Sequence, residues 1–399
     1  MSSNKLYPKI KEMLAEHIDP AVDENTLERL ALLVMGIIES KSAAPAQVAK
    51  ALNSLGLSEA QVESIERRVR RIENDPEITA GYCFHPLARQ RLMLGKPQQL
   101  LLIIDPTTQD ERLVMLTISV WYRGRALPLV WAVWPGNQPL LGDGFWERVS
   151  QLLEVVKELL PLRIPVIWLA DRAFGSPAFI DLLDEPHWDY VVRVQKQTRC
   201  RTCQGLERQI KELVPTVECR SKLRGLVFKK RGWRQASVLA YWGRRHQDPL
   251  CLVSSLPPRW SIISLYRRRY PIEATFRDYK SHGWQWERGQ VTDLDHIERL
   301  LVAMALATWI ALMVGTQVAT ELLAIKPTGQ RRTTPWVGKR SLFALGLQRL
   351  DQWLHGNCYS KLAWLLSDWD APNWQAQIHA HHANAFVFAS RTFDLGSPP

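Results

Sequence analysis

Apolar and polar positions in residues 1 to about 75 follow the period of an α-helix. Apolar side chains recur at the spacing of one helical face, at Leu27, Leu30, Leu33, Val34 and Ile37. Residues 44–53 predict a helix, residues 54–58 a short break with a glycine, and residues 59–72 a second helix that carries four arginines: Arg67, Arg68, Arg70 and Arg71. This order is compatible with a helix-turn-helix, and equally with a small helical bundle whose basic face is solvated.

From Leu100 the period changes, and continuous apolar runs replace the helical spacing. Residues 100–104 and 163–170 are typical of strands buried on both faces, and each run ends directly before an aspartate, Asp105 or Asp171. The other elements that the pattern predicts are strands at 112–121 and 126–134, helices at 145–160 and 177–183, and a strand at 189–194. Three strands, a helix, a strand, a helix and a strand is the order of a ribonuclease-H-like fold.

The later part of the chain predicts mainly helices. A helical segment at 266–280 precedes an apolar helix at 296–315, whose most apolar part is shorter than the roughly 20 residues of a membrane span and indicates a buried core helix. We therefore predict an α/β protein. Its predicted domains are a helical N-terminal DNA-binding domain (1–95), a ribonuclease-H-like core in two parts (96–195 and 262–325), a basic β-rich insertion between them (196–261) and a C-terminal helical region with a role in dimerisation (326–399).

Charge changes this picture by indicating a partner. The formal net charge is +11, and residues 196–261 hold 15 Lys and Arg against 4 Asp and Glu, so this segment alone has a net charge of +11. Such a surplus favours a polyanionic partner, nucleic acid before a membrane. The chain also has 17 Trp, which supply flat surfaces for base stacking, although Trp is more often core. The N-terminus has no apolar signal core, so we expect a cytoplasmic protein, associated with the nucleoid in a bacterium.

The six cysteines show no disulfide framework. Only Cys200 and Cys203 form a close pair, and Cys219 and Cys251 follow as single residues at irregular spacing. A structural zinc site and reduced, unliganded thiols are both compatible with this pattern.

Three acids carry the chemistry that the sequence predicts. Asp105 and Asp171 follow strands of a parallel sheet, where open α/β sheets place their ligands. Two carboxylates at one such edge repel each other unless a cation lies between them, and hard oxygen ligands suit magnesium or manganese. If residues 266–280 are helical, the spacing puts Tyr266, Arg269, Glu273 and Lys280 on one face. That face combines a third carboxylate with groups that hold a phosphate, although Pro271 predicts a helix start or a kink.

Over residues 98–315 these motifs resemble the insertion-sequence transposases of the IS-four type, which have a DDE ribonuclease-H-like catalytic core. Residues 105–108 resemble the first-aspartate motif of that family, although Pro106 replaces its usual small or polar residue, and residues 171–175 resemble the second. Tyr266, Arg269, Glu273 and Lys280 match the Y-x2-R-x3-E-x6-K signature at every spacing.

The resemblance implies that Asp105, Asp171 and Glu273 bind two Mg²⁺ ions, with Mn²⁺ as a substitute. It also implies that the protein cleaves its terminal inverted repeats, through a DNA hairpin, and joins them to target DNA, as a homodimer in the synaptic complex. The residues expected to contact double-stranded DNA are Arg172, Tyr266, Arg269 and Lys280 near the acids, and Lys229, Lys230, Arg231, Trp233, Trp242 and Trp260 in the insertion.

Two alternatives remain open on the sequence alone. A metal-dependent nuclease that does not transpose would use the same core, and a domesticated DNA-binding protein would use the fold without catalysis. The second alternative is favoured where metal ligands are lost, and here all three acids are present.

Overall fold

The computed structural model describes residues 6–109, 111–140, 143–324, 340–356 and 364–378. The chain forms two compact units. The first, called here the sheet unit, comprises residues 98–121 and 128–273. The second, the helical unit, comprises the described residues of 1–97, 122–127 and 274–399. The protein is therefore a mixed α/β protein whose chain passes more than once between the units.

The helical unit begins with a group of helices. They are α1 (Leu6–Ala15), α2 (Glu24–Ser40), α3 (Pro45–Ser54), α4 (Val62–Ile72), α5 (Ala80–Cys83) and α6 (His85–Gly95). The predicted helix-turn-helix positions correspond to α3 and α4, with α4 starting at Val62 rather than Glu59. Ile65, Val69 and Ile72 form the buried face of α4, and Arg67, Arg68, Arg70 and Arg71 are exposed.

The sheet unit is built on ten strands in the order β3-β2-β1-β4-β5-β10-β9-β8-β6-β7. The strands are β1 (Leu100–Gln109), β2 (Leu113–Tyr122), β3 (Arg125–Pro135), β4 (Val166–Ala170), β5 (Asp189–Arg193), β6 (Arg199–Thr202), β7 (Glu207–Gln209), β8 (Arg220–Val227), β9 (Arg234–Tyr241) and β10 (Leu250–Ser254). The helices of this unit are α7 (Gly144–Leu159), α8 (Pro177–Asp184) and α9 (Ser261–Tyr266). Helix α10 (Pro271–Arg277) begins in the sheet unit, and its residues from Ala274 onward belong to the helical unit. The predicted element order from β1 to β5 is confirmed.

The central strands are parallel, as their double burial predicts. Leu100 to Ile104 pair in parallel with Val166 to Ala170, and β4 pairs in parallel with β5. All five residues of β4 are buried, and so are the first five of β1. Strands β6 to β10 of the basic segment continue the same sheet on the far side of β5, through antiparallel pairing of β10 with β5.

Two predicted elements have different bounds in the structure. Strand β1 does not end at Asp105 but continues to Gln109, because β2 supplies antiparallel partners as far as Leu113. The segment 266–280 is not one regular helix. Between α9 and α10 lies a 3-10 turn at Arg267–Arg269, and after α10 comes a π-helical turn at Asp278–His282.

The remaining helices of the helical unit are α11 (Leu294–Ala324) and α12 (Leu342–His355). Helix α11 has 31 residues, more than the sequence predicts, and by length and composition alone it is long and apolar enough to cross a membrane. However, 89% of its most apolar window is buried inside the protein, in agreement with its interpretation as a core helix. The predicted C-terminal region lies partly outside the described residues.

Helices α11 and α12 approach each other so closely that two glycines are required at the contact. A Cβ atom at Gly346 would overlap the carbonyl oxygen of Ala311, and one at Gly315 would overlap that of Leu342. Both obstacles are backbone atoms, which cannot rotate away as a side chain would. The two helices therefore pack backbone to backbone at this point.

Gly346→Ala should lower the free energy of unfolding by about 1–3 kcal/mol, the usual cost of overpacking a core. The measurement is chemical denaturation followed by circular dichroism. The matched control is Gly144→Ala at the start of α7, where a Cβ would meet nothing within 4 Å. Equal stability of the two variants would show that α11 and α12 can separate at no cost.

Candidate active site

Two of the predicted acids lie at the same level of neighbouring strands. Ile104 of β1 is paired with Ala170 of β4 in the parallel register. Asp105 directly follows Ile104, and Asp171 directly follows Ala170, so the two acids lie at the same level. Asp171 precedes a 3-10 turn at Arg172–Phe174, and its side chain makes no capping hydrogen bond to that turn. Its carboxylate is therefore not used to cap the turn, which is the ordinary structural role of such a residue.

The turn after Asp171 is held by apolar packing. Phe174 is fully buried, and its ring centroid lies 5.3 Å from that of Phe179 and 5.9 Å from that of Phe145. Gly175 allows the end of β5 to pass close by, since a Cβ there would be 2.6 Å from the carbonyl oxygen of Arg193. The sequence Asp-Arg-Ala-Phe-Gly thus fixes the position of Asp171 against its neighbouring strand.

Arg269 joins the third acid to the first. Its Nη1 donates to Asp105 Oδ2 at 2.6 Å and its Nη2 donates to Glu273 Oε1 at 2.8 Å. The Arg269 side chain is 6% exposed, whereas that of Glu273 is 60% exposed. The guanidinium fork suits two carboxylates at once, so Asp105 and Glu273 are brought together although they are far apart in sequence.

Asp171 has its own polar neighbours. The Tyr266 hydroxyl donates to Asp171 Oδ1 at 3.4 Å, and Arg193 Nη1 lies 3.8 Å from the same oxygen. Arg193 was not among the residues predicted from sequence. The signal was present, because Arg193 is the last residue of β5 and its neighbour Val192 is paired with Ala170, which places it level with Asp171.

The charges of this cluster perturb one another. The pKa of Asp105 is raised to about 6, first by burial and then by the nearby Asp171 and Glu273, against the opposite effect of Arg269. Burial opposes the charge of Arg269, but Asp105, Tyr266, Asp171 and Glu273 together raise its pKa. Burial also raises the pKa of Tyr266. A further cation beside Asp105 would therefore favour the charged form of its carboxyl group.

The carboxylates of Asp105, Asp171 and Glu273 are the type of ligand that a divalent ion prefers, but they are not arranged as a metal site in this structure. Carboxylate oxygens are the ligands of magnesium and manganese, and Asp105, Asp171 and Glu273 all act electrostatically on Arg269. Nevertheless, within the described part of the chain, no group of three or more His, Cys, Asp or Glu side chains is arranged to hold a metal ion. Arg269 occupies the space between two of the three acids.

The other two residues predicted near the acids are placed differently. Arg172 is exposed at the start of the 3-10 turn. Lys280 belongs to the helical unit, in the π-helical turn after α10, where its ammonium lies 3.8 Å from Glu287 Oε1.

In the basic segment, several predicted DNA contacts already have protein partners. Lys229 Nζ lies 2.7 Å from Glu207 Oε1. Trp233 lies under the guanidinium of Arg201 at 4.6 Å, and Trp242 Nε1 donates to the carbonyl of His246 at 2.9 Å. Trp260 lies under both Arg220 (5.2 Å) and Lys222 (5.7 Å). Lys230 is exposed, and the side chain of Arg231 lies outside the described residues. The three Trp rings are thus surfaces already covered by cations or fixed by a hydrogen bond.

The cysteines of the same segment are free thiols. Cys200 and Cys251 are buried, Cys203 is exposed and Cys219 is intermediate. Burial raises the pKa of the Cys251 thiol to about 12. None of these residues belongs to a group that could hold a metal among the described residues, so the structure does not support a zinc site there.

Residues 148–310 match the family described as "Transposase DDE domain", a range that includes Asp171 and Glu273 and begins after Asp105. This match supports a DDE-type transposase. No curated protein matches the chain. Among solved structures, it is similar to the piggyBac transposase in a cryo-EM structure of its synaptic complex with hairpin DNA, with 11% identity and a TM-score of 0.38, over 90% of this chain and 87% of that chain.

Proposed function

We propose that this chain is a DDE transposase of the insertion-sequence type, with a ribonuclease-H-like core. It binds the terminal inverted repeats of its element, cleaves the ends through a hairpin intermediate and joins them to target DNA. The observation that carries this proposal is the placement of Asp105 and Asp171 at one level of adjacent parallel strands, with Glu273 joined to Asp105 through Arg269. The match of residues 148–310 to a DDE domain supports the part of the proposal that concerns a DDE transposase.

Asp105, Asp171 and Glu273 would hold two Mg²⁺ ions, for which Mn²⁺ can substitute. When bound, such ions activate the oxygen nucleophile and stabilise the leaving 3′-oxygen of an in-line displacement at phosphorus. Tyr266 and Arg193 orient Asp171, because both lie within 4 Å of the same carboxylate oxygen. We assign Arg172 to the phosphates of the transposon end, because it is exposed beside Asp171. Lys280 keeps the phosphate-binding role that the signature motif implies.

The partners follow from the same proposal. The concentration of basic charge in residues 196–261 suits the phosphate backbone of double-stranded DNA. A base flipped out of the duplex would stack on Trp233 or Trp260 in place of the cation that now covers the ring. Two copies of the chain would hold the two ends of the element in one synaptic complex. The protein would act where the DNA is, in the bacterial cytoplasm.

A cleavage and joining assay tests the proposal. The purified chain is incubated with Mg²⁺, a supercoiled plasmid and a duplex that carries the terminal repeats found beside its gene, and a scrambled duplex of equal length serves as the control. We expect cleavage at the repeat boundary, a hairpin product and insertion into the plasmid, all absent in EDTA. Equal cleavage of both duplexes without joining would instead indicate a nuclease, and specific binding without cleavage would indicate a non-catalytic DNA-binding protein.

A further inference from the structure

The position of Arg269 has a consequence for how the site is loaded. The guanidinium bridges Asp105 and Glu273, and only 6% of the side chain is exposed. The Arg269 Nε is buried without a hydrogen-bond partner. The carboxylates of Asp105 and Glu273 are therefore the main groups that balance the charge of the guanidinium. A buried arginine that lost both partners would be an uncompensated charge, which is strongly unfavourable. In this structure, therefore, Arg269 and the two acids stabilise each other.

A divalent ion and Arg269 require the same two carboxylates in different arrangements. The bridging guanidinium holds one oxygen of each acid at hydrogen-bond distance from separate nitrogens. A single Mg²⁺ bound by both acids needs an oxygen of each within roughly 2.0–2.1 Å of one point. Two positive centres so close together would also repel each other in a buried site.

We infer that Arg269 is a resident counter-ion of the site, and that a divalent ion reaches Asp105 and Glu273 only when Arg269 withdraws from them. The inference rests on the proposed function, which assigns these acids as metal ligands. Arg269 then needs another anion, and a DNA phosphate is one that a guanidinium binds well. Metal and DNA each favour the withdrawn position, so each increases the affinity for the other.

The surroundings of Arg269 are compatible with such a movement. Its guanidinium carbon lies 5.2 Å from the ring of Tyr270, which is 46% exposed. Glu273, the partner on the other side, is 60% exposed. One side of the bridge is therefore open to solvent and to a ligand, while Asp105 is held on the buried side.

The test measures Mn²⁺ binding to the full-length protein by calorimetry, first without DNA. Arg269→Gln removes the charge, and we expect Mn²⁺ to bind about tenfold more tightly than to the wild type, within the usual range of coupling between sites. Arg269→Lys retains one charge but cannot bridge two acids as a fork, so its affinity should lie between the two. The matched control is Arg268→Gln, because Arg268 stacks on Trp121 at 4.8 Å instead. A short duplex should tighten Mn²⁺ binding to the wild type and not to Arg269→Gln.

Two further variants make the outcome decisive. Asp105→Asn combined with Arg269→Gln should abolish the gain in Mn²⁺ affinity. This result would show that the ion binds at this site. If Arg269→Gln is unstable, its thermal unfolding midpoint should rise with Mn²⁺ by more than that of the wild type, and Arg269→Lys supplies the binding comparison. Equal affinity of the wild type and both Arg269 variants, with weaker binding in Asp105→Asn, would overturn the counter-ion role and leave the proposed function intact. If Asp105→Asn leaves the Mn²⁺ affinity unchanged in both the wild-type and the Arg269→Gln protein, the assignment of Asp105 as a metal ligand is overturned.

Discussion

Glu273→Gln should reduce cleavage of the transposon ends by more than the roughly 10–100-fold that the loss of an outer-shell metal partner costs. The substitution keeps the size of the side chain and an oxygen that can accept from Arg269, so the fold around the bridge is retained. It removes the negative charge that the proposed metal ions require. End-specific binding should persist, because phosphate contacts by basic residues supply most of that affinity.

Single-turnover cleavage in Mg²⁺ and gel-shift binding to the same duplex measure the two effects separately. Glu185→Gln is a suitable control, since it makes the same chemical change at a side chain that is 82% exposed. The Glu185 carboxylate forms a surface ion pair with Lys157, with a distance of 3.4 Å between Oε2 and Nζ. A cleavage rate close to that of the wild type would remove Glu273 from the catalytic assignment. A parallel loss of binding would mean that the substitution acts through DNA affinity.

The strands could be predicted because a strand buried on both faces needs an uninterrupted apolar run. The prediction ended β1 before Asp105, because the continuous apolar run stops at Ile104. The chain nevertheless continues as a strand. Beyond Ile104 the pairing with β4 has ended, while β2 still supplies antiparallel partners, among them Leu116 opposite Pro106. A proline is tolerated where one side of a strand lacks a ladder partner, and this depends on the neighbouring strands rather than on the local sequence.

The interruption of the segment 266–280 was only partly predictable. Pro271 indicated a helix start, and α10 does begin there. Tyr270, which precedes it, still has helical backbone angles (φ −55°, ψ −29°), although a following proline disfavours them. The π-helical turn at Asp278–His282 gave no sequence signal, and it changes the spacing on which a common face for Glu273 and Lys280 was predicted.

The candidate acids could be chosen from sequence because their positions follow strand ends and a motif. The roles of Arg193 and Arg269 could not be predicted in this way. Arg193 acts on Asp171 through the register between β4 and β5, and Arg269 was expected to hold a DNA phosphate. In the structure its guanidinium binds Asp105 and Glu273 instead. Glu273 is only four residues away along the chain, but Asp105 meets Arg269 only in the folded chain. Contacts between distant parts of a sequence are set by topology, which local periodicity does not contain.

Neutralising Lys229, Lys230 and Arg231 together should weaken binding to the transposon end and flatten its salt dependence. These residues form a turn between β8 and β9, within the segment that holds the net charge of +11. When a phosphate contact is lost, association releases fewer counterions, so the magnitude of the slope of log K against log salt should decrease by roughly 0.9 per contact. Lys229 should contribute least, because Glu207 already lies 2.7 Å from its ammonium.

The measurement is a titration of end binding at several salt concentrations. The control removes the same charge elsewhere in the sheet unit, at Arg148, Lys157 and Arg163, in and just after α7. If location matters, only the first triple variant changes the slope. If both variants lose affinity equally, the net charge of the protein is responsible, and if neither does, the turn between β8 and β9 lies away from the DNA. Either result would refute the docking of this segment on the transposon end while leaving the assignment of the acids unaffected.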